Sequence, residues 1–158
     1  MSQTQMTQAA PLVSQYLHHS NHVVRYQAIW FLGCWGRMSN YLDQIIQSAE
    51  TDPDLDNRAF AARCSGLILK SHQNPAAMRA LLRLVNNENG SADLRCAAYS
   101  ALIYGYYGEN GAKAAHEFDP IGTKSIADFD IAWLTSVANW VDGLNSDTEV
   151  GTIEGRSH

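Results

Sequence analysis

The sequence predicts an all-α fold: a short α-α superhelix of about three helix pairs, closed by a C-terminal capping helical segment. Three observations carry this expectation. One residue pattern recurs with the period of a helical array. Helix-capping residues stand ahead of each copy. Strand-type alternation is missing, and the one Asn-Gly step, Asn89-Gly90, lies between helical patterns rather than between β-rich runs.

In the recurring segment Asn21, Asp54 or Ser91 precedes Arg25, Arg58 or Arg95 by four residues, and Ala28, Ala61 or Ala98 follows that arginine by three. Gly33 and Gly66 lie eight after their arginines; in the third copy Ile103 takes that place and Gly105 follows. The arginines are 33 and 37 residues apart. The side-chain oxygens of Asn, Asp and Ser accept hydrogen bonds from the free N–H groups of a helix start. Beyond Asn21, the residues Val24, Ala28, Phe31, Leu32 and Trp35 fall on one apolar helix face. The small alanine admits a neighbouring helix at close range. The arginine is expected to pair with a nearby carboxylate or carbonyl.

Each copy has a partner helix before it. Thr7–His18 is expected to supply the first, with Pro11 limiting its beginning. Tyr41–Ala49 is amphipathic and ends before Pro53, while Pro75–Val85 opens on proline, whose missing N–H costs nothing at a helix start. That helix stops near Asn89-Gly90, a turn signal. The pairs therefore occupy about 7–36, 40–70 and 75–108. A final part, about 111–145, carries Ala112–Phe118 and Asp128–Leu144. There Ile131, Leu134, Val137, Ala138 and Val141 form an apolar stripe, and Trp133 and Trp140 add bulk suited to closing an open core.

The spacing Asp/Asn-x-x-x-Arg-x-x-Ala-x-x-x-x-Gly on the second helix of a pair resembles that of HEAT-like repeats, across roughly residues 20–108. The resemblance implies an α-solenoid and says little of activity. HEAT-like families include binding scaffolds, chromophore lyases of light-harvesting proteins and alkylpurine DNA glycosylases, and fold does not choose among them.

A chain of 158 residues predicts one domain, here 1–150. Residues 151–158 contain Ile153-Glu154-Gly155-Arg156, which looks like an engineered cleavage site, and they are expected to be a vector-derived tag remnant. No apolar run approaches the ~20 residues of a membrane span, and the start lacks a secretory pattern, so a cytoplasmic protein with no membrane partner is expected. The net charge of −5, from 16 Asp and Glu against 11 Lys and Arg, opposes nucleic acid as the main partner. Cys34, Cys64 and Cys96 form no C-x-x-C pair and are expected as buried free thiols.

Motifs for chemistry are weak. Asp52, Asp54 and Asp56 open like a calcium loop, but the glycine and terminal glutamate such a loop needs are replaced by Asn57 and Arg63. The segment is expected to be a linker carrying an N-cap. His18, His19 and His22 cluster at a turn without a nearby carboxylate in sequence. The expectation leans away from an enzyme, with no cofactor and no metal.

What remains is surface. In a helical array the second helices line the inner face, which such proteins use to bind partners. The stripe beside the core holds Tyr26, Trp30, Asp56, Phe60, Arg63, Asp93 and Tyr104, an aromatic-plus-arginine composition typical of interface hot spots. Trp30 and Phe60 could equally be core between helix layers; Asp56 and Asp93 are the safer exposed members. The function expected is a non-catalytic protein-binding module for another, basic protein, in its sharpest form a stoichiometric inhibitor or immunity protein for a toxin or nuclease. The alternative is an accessory enzyme resembling HEAT-like phycobilin lyases, with a tetrapyrrole in the groove. A DNA glycosylase ranks third because of the acidic charge. A homodimer through the Trp133/Trp140 end also remains open.

Overall fold

The computed structural model describes residues 2–108 and 125–150, and among these residues every regular element is helical. Helix α1 spans Gln3–Ser14 and tightens into a 3-10 turn at Gln15–His18; α2 spans His22–Ile29 and runs on as a π-helical turn, Trp30–Trp35. Then follow α3 (Leu42–Thr51), α4 (Leu55–Leu69), α5 (Pro75–Asn86), α6 (Ala92–Tyr107) and α7 (Ile131–Val150). Helix α3 pairs with α4 and α5 with α6, while the turns that follow α1 and α2 join the first pair. The second members, α2, α4 and α6, pack side by side in one layer, α3 and α5 form the other, and α7 extends that layer by packing on α5. None of these helices is long and apolar enough to cross a membrane. The expected segment Ala112–Phe118 lies outside the described residues.

The capping residues act as their chemistry requires. The side chains of Asn21, Asp54, Asn74 and Ser91 accept from the backbone N–H groups of Val23, Asn57, Ala77 and Leu94. Pro75 occupies the start of α5. Helix α1 begins earlier than the proline suggested. Ser2 and Gln5 form a reciprocal capping box that starts the helix at Gln3, and Pro11 sits inside it. One missing N–H does not end a helix that is already nucleated upstream.

The repeated arginines share one task. Arg58 Nε donates to Ala49 O at 3.0 Å, and Arg95 Nε donates to Val85 O at 2.8 Å, each at the C-terminal end of the preceding helix. Arg25 Nη1 donates to His19 O and Ser20 O, just past the first helix of its pair. A guanidinium there satisfies carbonyls that have no intrahelical donor and complements the negative end of the helix dipole. Arg25 also grips Asp52 through Nε and Nη2 at 2.8 and 2.9 Å. The two side chains are only 8% and 2% exposed. Burial would push the Asp52 carboxyl up, but the hydrogen bonds from Arg25 and from the Asp54 backbone outweigh it and hold the group below its ordinary range.

The repeated small residues set the layer spacing. Ala28, Ala61 and Ala98 are buried. A Cβ on Gly33 would stand 2.7 Å from the Cβ of Cys64, and one on Gly66 2.7 Å from the Cα of Ala101. In the third copy Gly105 does this work against Met78 and Leu69. Ile29, Leu32, Ile45, Ile68, Leu81 and Leu102 fill the interior between the layers. At the far end Leu134, Val137 and Val141 of α7 cover that interior, and Trp133 and Trp140 pack half-buried against it. Tyr99 stacks on Phe129 at 4.4 Å while its hydroxyl accepts from the Asp130 N–H, which fixes the start of α7.

Two apolar positions depart from the expected stripes. Ile131 is 68% exposed, because it lies in the first turn of α7, ahead of the part that meets α5. Trp35 is 43% exposed rather than core. The π turn accommodates one extra residue per turn, so the buried register passes from Leu32 and Gly33 to Gly36, and Trp35 is rotated outward. Gly36 N donates to Phe31 O at 2.8 Å across that widened turn. The chain then leaves through Arg37, whose φ of 46° is left-handed, with Met38 N donating to Leu32 O.

Arg25→Ala should destabilise the fold by about 3–5 kcal/mol, since it strands a buried carboxylate. In wild type the stabilisation from Asp52 should be complete above the ordinary carboxylate pKa of about 3.9 and should fade as pH falls below it, through the lower folded value. Denaturant melts between pH 2 and 7 read both effects. Gly66→Ala should cost about 1–3 kcal/mol through overpacking against Ala101. The same change at Gly143, where nothing lies within 4 Å, should stabilise α7 by about 0.5–1 kcal/mol. Thermal melts of the two variants should therefore shift in opposite directions.

Candidate functional site

The stripe beside the core lies on the α2–α4–α6 layer, and the fold sorts its members into separate groups. Tyr26 and Phe60 stack at 4.3 Å with planes 21° apart, joining α2 to α4. Tyr26 is 37% exposed, whereas Phe60 is half-buried against the core. Trp30 is 38% exposed and stacks at 5.2 Å on Trp35. A π turn brings residues five apart onto one side, so the unusual backbone creates this pair directly. Phe31 meets Trp35 edge-on at 5.6 Å and braces it from the core side. Trp35 joins the surface group although sequence periodicity placed it in the core; no sequence signal marks the π turn that moves it.

An apolar groove runs beside Trp30. It has a volume of about 340 Å³ and is lined by Val13, Tyr16, Val24, Gln27, Ala28, Trp30 and Phe31. Val23 and Tyr16 are exposed nearby on the same end of the array. Asp56 and Asp93 are both exposed, each in the first turn of its helix, α4 and α6. Carboxylates there complement the positive end of the helix dipole. Farther along, Arg63 and Tyr104 share a smaller cavity of about 190 Å³ with Leu67, Ser100 and Ala101. Thus Tyr26 with Phe60, Trp30 with Trp35, and Arg63 with Tyr104 are three local clusters, with the two aspartates at the helix starts.

The histidine and aspartate motifs have structural places. His19 Nδ1 accepts from the Asn21 N–H, and His22 Nδ1 lies 3.4 Å from an Asp54 oxygen. Asp54 is the N-cap of α4, as the linker reading expected, and Asp52 is the buried partner of Arg25. Among the described residues no group of three or more His, Cys, Asp or Glu gathers to hold a metal ion.

All three cysteines are free thiols, but they are not all isolated: Cys34, half-buried on the π turn, is hydrogen-bonded to buried Cys64 on α4. Their separation in sequence concealed this, because the contact depends on Gly33 bringing the π turn against Cys64. The Cys64 thiol donates to Cys34, so the Cys34 pKa falls to about 6 despite partial burial, with Arg37 adding a smaller pull. Cys64 is held well above its ordinary value by that hydrogen bond and by burial. Cys96 is raised by burial alone in the main. The pair thus favours the thiolate at Cys34 and the thiol at Cys64, and burial favours the thiol at Cys96.

No family model, curated protein or solved structure matches this chain.

The cysteine arrangement predicts a distinct labelling profile. Iodoacetamide should modify Cys34 first, with a rate that rises through a midpoint near pH 6 rather than the ~8.5 of a free thiol. Cys64→Ala should return the midpoint toward the free-thiol value. Peptide mass spectrometry across pH 4–9 measures both.

Proposed function

We propose that this chain is a non-catalytic protein-binding module of the HEAT-repeat type, using the aromatic face of its second-helix layer. The observation that carries the proposal is the pair of exposed, stacked tryptophans, Trp30 and Trp35, beside an apolar groove and next to the Tyr26–Phe60 stack. Large aromatic surface is costly to leave in water, and here backbone geometry and ring stacking hold it in place. Pre-ordered aromatics lose little entropy when a partner covers them, which is why they dominate binding energy at interfaces.

Charge favours a basic partner. Asp56 and Asp93 are exposed on the same layer, and the whole chain carries −5. Such a field accelerates encounter with a cationic protein and disfavours nucleic acid. A stoichiometric inhibitor of a basic toxin or nuclease, that is an immunity protein, is the role this combination of size, acidity and aromatic surface fits best.

Affinity capture from the source cell extract at moderate salt tests the proposal, with Trp30→Ala and Asp56→Asn run in parallel. Wild type should retain one dominant basic protein at stoichiometric yield. Trp30→Ala should weaken that complex about 30-fold or more, the loss of a hot spot of at least ~2 kcal/mol. Asp56→Asn should slow association at low salt and matter less at high salt. A partner retained equally by all three chains, or none retained by wild type, overturns it.

A further inference from the structure

Among the arginines of this chain, those in the repeat end on carbonyls or on Asp52. Arg79 meets Asp142 and Arg83 meets Glu50. Arg63 differs. It is half-buried on α4, and its Nε is closed off from solvent without a hydrogen-bond partner among the described residues. Its guanidinium makes no ion pair with a described carboxylate. A buried N–H that has no acceptor costs free energy until one is supplied.

The cavity that Arg63 lines offers a way to relieve it. Its walls, from α4 and α6, also present Ser100 and Tyr104, whose hydroxyls have no hydrogen bond to a described residue. Leu67 and Ala101 make the rest of the wall apolar, and the volume is about 190 Å³. Three donor groups without acceptors among the described residues thus line one small, mostly apolar space. By contrast, the larger cavity beside Arg25 adjoins a guanidinium that Asp52 already neutralises.

We propose that this cavity is a binding site for a carboxylate on a short aliphatic stem. The carboxylate oxygens take hydrogen bonds from the Arg63 guanidinium and from the Ser100 and Tyr104 hydroxyls, and the stem lies on Leu67 and Ala101. Charge selects the ligand class. One guanidinium and two neutral hydroxyls balance a monoanion, whereas a phosphate dianion would leave one charge uncompensated inside an apolar wall. Size agrees, because the cavity holds on the order of half a dozen waters, the bulk of a four-carbon acid. Two sources share this chemistry: a free short carboxylic acid, and the side chain of an acidic residue on a protein. The site stands independently of the tryptophan face, since neither Trp30 nor Trp35 lines it.

The test is a ¹⁵N NMR titration that follows the Arg63 Nε–Hε signal, using butyrate, its neutral isostere butyramide, and inorganic phosphate. Butyrate should shift the signal saturably with millimolar affinity. Butyramide should bind at least about tenfold more weakly, the worth of one charge-assisted hydrogen bond, and phosphate should not saturate. Arg63→Gln should abolish the butyrate response in the amides of Ser100 and Tyr104 while the rest of the spectrum stays dispersed. Ser100→Ala should weaken it about threefold to tenfold. No saturation by ~50 mM butyrate overturns the proposal, as does an equal response to butyramide or an unchanged response in Arg63→Gln. A capped Ala-Glu-Ala peptide distinguishes the sources. Tighter binding of the peptide than of butyrate assigns the site to a protein side chain, and the reverse assigns it to a free acid.

Discussion

A guanidinium reaching from the second helix of each pair to the carbonyls that end the first is the bond on which the array is built. Helix C-termini leave carbonyls without intrahelical donors, and in a tight helical hairpin those carbonyls sit where water access is poor. Arg25, Arg58 and Arg95 resolve this at every pair with the same side chain from the same helical position. Each charge-assisted bond is worth about 1.5–3 kcal/mol and also fixes how far one helix slides along the other. Arg25 does more, because Asp52 belongs to the next pair, so one buried guanidinium ties the first hairpin internally and to its neighbour.

Lateral spacing is set by absence of side chain. Gly33 and Gly66 let the π turn after α2 approach α4, and α4 approach α6, closer than any Cβ would permit. The close approach has chemical consequences. Against Gly33 it brings Cys64 beside Cys34 and lowers the latter's pKa. The π turn in the same stretch rotates Trp35 out of the core onto Trp30. Features that bear on function at the first pair are thus by-products of how the first pair ends.

The polar groups divide in the same way. Each repeat arginine places its Nε on an acceptor, while the Nε of Arg63, which the repeat does not require, is buried without an acceptor among the described residues. The same holds for aromatics: Tyr99, Phe129 and Trp133 lock the closing helix onto α6, whereas Trp30 and Trp35 stack on each other and remain in contact with water. Groups without a structural duty are the ones placed to meet something outside the chain.

What the sequence determined by itself is whatever depends on neighbours along the chain. The caps Asn21, Asp54 and Ser91, the start at Pro75, the helical periods and the repeat all act within a turn or two of backbone, so the all-α architecture and its pairs were legible. The arginine's choice of a carbonyl or carboxylate followed from its chemistry and its fixed place in the repeat. The tertiary structure decided the rest. The outward turn of Trp35, the Cys34–Cys64 contact and the small cavity that gathers Arg63 and Tyr104, already on one stripe in the sequence, were not legible. Most of these need two helices at a particular separation and rotation, and that separation is set by glycine contacts between residues some thirty apart in the chain. Local pattern carries helix identity; which side chains converge depends on packing, where one extra residue in a turn changes the face a tryptophan occupies.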